Sequence, residues 1–325
     1  MKLPRILLII LMFASGFGAG TFFARSKGPP CDIQYKYING ELACGGASYI
    51  VSKEGYAELK QKIEQFIRAK TDEGKVSNVA IYFRDLENGP TLGINEHDKF
   101  VPASLLKVPR MLTYLRLAEE DPQLLQKQLV FRIEGNESPV AQWFPSKETI
   151  QENKPYTIDD LLGRMIIYSD NRAVTVLKNY LAQIFPNADP LFETLNDLGI
   201  LTPRNSIEDA VTVKSYASTF VQLYHVSFFS KKETSEKALT WLAQTQFDQG
   251  LESGVSRDIE VAHKFGERFG GAGEQKQLHD CGIVYYPRNP YLLCVMTRGD
   301  DFAELTGAIA EISQMFYEEF DSRKL

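Results

Sequence analysis

Apolar residues recur at helical spacing over 54–70, where Leu59, Ile63, Phe66 and Ile67 stand among Lys, Glu and Gln. The pattern predicts an amphipathic helix with one packed stripe. Val79–Phe83 and Thr91–Ile94 are short apolar or alternating runs separated by Asn88-Gly89-Pro90, which predicts a hairpin. Helical patterns then dominate from Ser104 to Gln246, broken inside the stretch 157–181 by the polar run Tyr168-Ser169-Asp170-Asn171. Strand character returns at 260–265, 282–286 and 291–297, with a turn at Pro287-Arg288-Asn289-Pro290, and 300–320 reads as a closing amphipathic helix. The simplest packing sets the first and last helices against one antiparallel sheet and inserts the helical block between its strands. The predicted class is α+β, with an α/β lobe over 51–103 and 247–325, an all-α lobe over 104–246, and a cleft between them.

The first residues read as an address. Lys2 and Arg5 precede an uncharged run from Ile6 to Ala24, long enough to cover the roughly 30 Å hydrocarbon core of a bilayer. Residues 1–25 are therefore a signal anchor, or a signal peptide if the small residues Ser15 to Gly20 are a cleavage site. Either way the body is exported, with 26–50 as a juxtamembrane linker. Within that linker, Asn39-Gly40 between Tyr35–Ile38 and Glu41-Leu42 is a hairpin signal. Cys31 and Cys44 form a bridge only if the preceding segment folds back. Cys281 and Cys294 flank the second hairpin as diagonal neighbours, which favours two buried thiols over a bond.

Composition narrows the chemistry. Across 325 residues, 36 Lys plus Arg face 42 Asp plus Glu, and the net charge of -6 leaves no positive field for a phosphate backbone, so no nucleic-acid partner is expected. The four cysteines lack CxxC spacing and the four histidines stand singly, so neither a metal nor another cofactor is expected.

Three short motifs remain. Ser104-Leu105-Leu106-Lys107 places a hydroxyl and an amine on one face of a helix start. A buried, neutral lysine can remove the serine proton, and the helix N-terminus favours the negative charge that develops. Ser169-Asp170-Asn171 offers a second hydroxyl to relay a proton and an amide to hold a carbonyl and the amine. His263-Lys264-Phe265-Gly266-Glu267 lies on a predicted strand, where Lys264 supplies charge and Gly266 lets ligand backbone approach. Taken singly, these are an N-cap serine, a solvated helix break and an edge-strand lysine.

Together, in this order, they resemble the penicillin-recognising serine hydrolases, and among them the class A β-lactamase-like enzymes, over about residues 51–325. Ser104–Lys107 matches SxxK, Ser169–Asn171 matches SDN, and Lys264–Gly266 matches KTG at two positions of three. The resemblance implies a β-lactamase/D,D-peptidase-like fold and an acyl-enzyme on Ser104. It also implies proton handling by Lys107 and Ser169, substrate amide contact by Asn171, and carboxylate attraction by Lys264. Gly266 belongs to the same substrate strand, and the backbone N–H groups of Ser104 and Glu267 make the oxyanion hole.

Two departures bear on turnover. Phe265 replaces a hydroxyl residue, forfeiting a hydrogen bond to a substrate carboxylate worth about 1.5–3 kcal/mol. No ExxLN segment follows the helix ending near Leu198-Gly199. Glu193-Thr194-Leu195-Asn196 is one residue short and lies on that helix, while Glu208 and Asp209 fall in the right interval as a water-activating base or as surface carboxylates. Three readings follow: a β-lactamase-like hydrolase with weak deacylation, a D-Ala-D-Ala peptidase acting on peptidoglycan, and a non-catalytic wall-binding protein of the same fold. His263 beside Lys264 is a candidate for tuning the amine, and His279-Asp280 reads as a turn pair.

Overall fold

The computed structural model describes residues 35–40, 42, 55–87, 89–132, 142–200, 211–270 and 274–323. The run 6–24, Cys31, Cys44, Glu208 and Asp209 lie outside the described residues.

A five-stranded antiparallel sheet organises the chain. Its strands are β1 (Asn78–Asp85), β2 (Thr91–Ile94), β7 (Val261–Arg268), β8 (Lys276–Val284) and β9 (Tyr291–Gly299), in the order β2-β1-β9-β8-β7. Alternation sorts the side chains of each strand between two faces. One face, with Ile81, Phe83, Leu293 and Val295, packs under helix α1 (Ala57–Asp72) and helix α8 (Phe302–Arg323). Helix α1 contributes Leu59, Ile63 and Ile67, the stripe expected from its periodicity. The opposite face, with Ala80, Ala262, Ile283, Leu292 and Met296, belongs to the core of the helical block. Central strand β9 is buried along almost its whole length, as its apolar run Tyr291–Met296 requires.

The block between β2 and β7 begins with β3 (Lys99–Phe100) and a 3-10 turn, Ala103–Leu106, that runs into helix α2 (Lys107–Glu120). Nearly every residue from Lys107 to Leu115 is buried, so α2 is the central helix of the block and carries its lysine inside. Short β4 (Gln128–Val130) pairs with β5 (Pro155–Thr157). Helices α3 (Ile158–Ile167), α4 (Asn171–Ile184) and α5 (Pro190–Asp197) follow. Then β6 (Val211–Thr212), paired with β3, leads into α6 (Val213–Tyr224) and α7 (Lys232–Leu242). The β4/β5 and β3/β6 pairs have no counterpart in the sequence reading, because two- or three-residue strands carry no period.

Three expectations change. The stretch Tyr35–Asn39 is bent and contains no strand. It lies on the helical block, where the Glu236 carboxylate of α7 accepts the N–H groups of Lys36, Tyr37 and Ile38 at 2.7, 2.9 and 3.0 Å. Strand β8 starts six residues before the expected position, so His279 and Asp280 are buried strand residues and not a turn pair. The loop joining β8 to β9 spans 285–290, since their pairing ends at Val284 opposite Tyr291. That register sets Cys281 directly opposite Cys294, and the two form a disulfide instead of free thiols.

Candidate active site

The first motif is built by the 3-10 turn. Residues three apart in such a turn eclipse each other, which puts Ser104 and Lys107 on one edge. Ala103 enters the turn with φ +47°, a left-handed conformation that a non-glycine residue adopts only when its surroundings enforce it. Those surroundings are on β8. Gln277 accepts the Val101 N–H at 3.1 Å through its side-chain oxygen, and His279 Nε2–H donates to Val101 O at 2.9 Å. Burial pushes the His279 imidazole down to about 4, so it stays neutral and can hold that carbonyl. Ser104 itself is half-buried, and its Oγ makes no hydrogen bond among the described residues.

At Gly266 the approaching backbone is the protein's own. A Cβ there would lie 3.0 Å from both Leu105 N and Pro102 O, so β7 presses directly on the Ser104 turn.

The second motif forms the corner between α3 and α4. Ser169 takes φ +56° and is 2% exposed. The buried Asp170 caps α4 through Arg172 N at 2.9 Å and holds the preceding loop through Thr149 Oγ1 at 2.9 Å and Ile150 N at 2.8 Å. Only its position before a helix signalled this role in the sequence.

The motifs converge on Ser169. Lys107 Nζ donates to Ser169 Oγ at 2.8 Å, Ser169 O at 2.6 Å and Asn171 Oδ1 at 2.8 Å. From the other side Lys264 Nζ lies 3.1 Å from the same Ser169 Oγ and 2.9 Å from Phe265 O. Burial lowers the Lys107 ammonium from its ordinary range to about 7, against the opposing pull of Asp170 and Glu267. Burial and then the nearby Lys107 charge hold Lys264 well below its ordinary range. An amine without its extra proton accepts from a hydroxyl, so this arrangement can pass a proton among Lys107, Ser169 and Lys264.

Lys264 points into the site and its Nζ lies 4.1 Å from the centroid of the Phe265 ring, whereas His263 is turned away from it. Phe265 stacks on Phe247 with ring centroids 4.2 Å apart. His263 pairs with Asp280 through Nδ1 at 2.8 Å, both side chains fully buried, and so does not touch the Lys264 amine. Burial opposes charge on His263, but the Asp280 carboxylate overrides it and raises the imidazole to about 9. The Glu267 carboxylate accepts the N–H groups of Trp143 at 3.0 Å and Phe144 at 3.3 Å, fastening the 143–144 segment to β7. Among the described residues no cluster of His, Cys, Asp or Glu is placed to hold a metal ion.

The model of the beta-lactamase enzyme family matches residues 58–320. The chain belongs to the β-lactamase family. Solved structures agree with this family's fold. A PBP-A point mutant in acyl-enzyme complex with penicillin G is 21% identical over 84% of this chain and 100% of its own, with a TM-score of 0.66. The TLA-3 extended-spectrum beta-lactamase is 18% identical over 82% of this chain and 99% of its own, with a TM-score of 0.68. A beta lactamase from Xanthomonas campestris pv. campestris is 17% identical over 80% of this chain and 98% of its own, with a TM-score of 0.65. Comparison with curated proteins finds no match. The α+β arrangement expected from the pattern is the fold of the β-lactamase family.

Proposed function

We propose that the protein is an exported serine hydrolase that β-lactams acylate at Ser104. The observation that carries this reading is Lys107, an amine 4% exposed, lowered to about 7, and bonded to both Ser169 and Asn171. In this reading Ser104 Oγ attacks the lactam carbonyl carbon while neutral Lys107 takes its proton. The negative oxygen rests on the Ser104 and Glu267 N–H groups; an edge strand such as β7 turns alternate N–H groups away from the sheet. The carbon–nitrogen bond then breaks, Ser169 gives its proton to the leaving nitrogen, and a neighbouring ammonium restores it. Asn171 keeps its side-chain N–H₂ for the substrate amide because its oxygen is held by Lys107.

Water must then cleave the ester. Without an ExxLN glutamate the attacking water lacks its usual base, so the adduct with a β-lactam is long-lived. That absence also supports a second reading, a D-Ala-D-Ala peptidase acting on peptidoglycan with the same acylation residues. Glu208, as a replacement base, is part of the hydrolase reading. A PBP-A acyl-enzyme with penicillin G among the structural relatives supports acylation as the shared step.

Export rests on the uncharged run 6–24 and on the Cys281–Cys294 disulfide, which suits an oxidising compartment. No helix among the described residues is long and apolar enough to cross a membrane. The test is incubation with a labelled penicillin: an adduct on the native protein that is lost in Ser104→Ala supports acylation, and no adduct on either leaves the wall-binding reading.

A further inference from the structure

A cavity of about 300 Å³ opens beside Tyr168, between the end of α3, the turn at 246–249, the 143–147 segment and β7. Tyr168 and Phe265 line it, and Lys264 Nζ lies 4.1 Å from the Phe265 ring centroid and 3.1 Å from Ser169 Oγ, so one lysine amine separates the Phe265 wall from the proton-relay hydroxyl. Gln246 N–H bonds Ile167 O at 2.9 Å and closes the wall between them. The remaining lining joins three aromatic rings to Pro145, Lys147, Asp248 and Gln249. Phe247 stacks on Phe265, Phe144 stands edge-on to both at 4.9 and 6.0 Å, and Trp143 forms the exposed rim.

A carboxylate gains little here. Lys264 is fully buried and bonded to Ser169 and Phe265 O, and the lining charges, Lys147 and Asp248, are one of each sign. Phe265 offers a ring face where a hydroxyl would bind oxygen. The space is ample for a ring, since an apolar cavity of roughly 150 Å³ holds benzene.

We propose that this cavity is a leaving-group pocket, taking an aromatic or bulky apolar substituent on the side of the scissile bond that Ser169 protonates, with Phe265 setting the preference. The inference rests on acyl transfer to Ser104. The substrate class is therefore an amide, lactam or ester whose departing half carries an apolar ring in place of a carboxylate. In the ester case Ser104 Oγ bonds to the acyl carbon, the carbon–heteroatom bond breaks, and the departing atom leaves with the Ser169 proton.

Two thioesters with one common acyl group test this, one releasing benzyl mercaptan and the other 2-mercaptoacetate. Values of kcat/KM from thiol release report acylation for each. The native protein is expected to favour the benzyl thioester by about tenfold or more, the scale on which a shaped pocket discriminates. Phe265→Thr is expected to erase that preference. Trp143→Ala, which removes a half-exposed ring that also packs on Phe302, is expected to reduce it with little change in the unfolding midpoint, and so covers the case of a misfolded Phe265 variant. Equal rates, or preference for mercaptoacetate in the native protein, overturn the pocket while leaving acyl transfer intact. No thiol release from either, together with no penicillin adduct on Ser104, overturns acyl transfer itself.

Discussion

Ser169 Oγ lies between two buried amines, and three hydrogen bonds from Lys107 converge on this corner. Burial disfavours the charged form of both amines, and at Lys264 the neighbouring Lys107 charge adds to it, which favours a neutral amine in this corner. Lys107→Ala removes the amine that shares a turn with Ser104. The expected outcome is a penicillin acylation rate lower by about 10²–10⁴, measured by quenched-flow trapping of the adduct. The sequence carried the short motifs SxxK and SDN, and the fold brings Lys107 of the first to Ser169 and Asn171 of the second. It did not carry the hold of Asp170 on the 149–150 loop or that of the Glu267 carboxylate on the 143–144 segment, because each joins stretches far apart in the sequence that no local pattern links.

At the scale of elements, position depends on β7 and β8. Gly266 lets β7 touch the Ser104 turn, and a methyl group there must push Pro102 O and Leu105 N away. Gly266→Ala is expected to lower kcat/KM by about 10² while the unfolding midpoint changes little, since a shift near 1 Å in a reacting group costs on that order. Beneath the same strand, His263 and Asp280 form a buried pair, with Asp280 also accepting Leu251 N–H at 2.9 Å. His263→Phe leaves that carboxylate buried without its counter-charge, and urea unfolding at pH 6 is expected to show a loss of roughly 3–5 kcal/mol. The sign with pH follows from the raised imidazole. Its contribution is full below the ordinary histidine value of about 6.5 and is lost as pH rises through about 9, so the gap to native narrows on going alkaline. The pair is illegible in the sequence because nothing marks the start of β8: Lys276 and Gln277 are polar, and Gly282, which gives His263 room, resembles a strand start.

For the whole molecule, one sheet with two dissimilar faces explains the layout. Helices α1 and α8 cover one face, and the helical block with its buried α2 covers the other. The long periodic segments made this legible, because a helix stripe or a buried strand repeats its signal several times. Loop length was not legible, and it decided the cysteines. The 285–290 connection shifts the register so that Cys281 faces Cys294 across β8 and β9, both buried in the sheet. Their disulfide closes a loop with sequence separation 13. Replacing both by Ala is expected to lower stability by about 2–4 kcal/mol in guanidinium unfolding, and an unchanged midpoint would show that the bond contributes nothing.

The whole site works only if Lys107 is neutral when Ser104 attacks, and the pre-steady-state rate of penicillin acylation against pH measures that protonation. The expected profile rises with a single ionisation near 7 and is flat above it, because the amine becomes a base on losing its proton. A rate that stays constant across this range, or falls as pH rises through 7, would contradict Lys107 as the base.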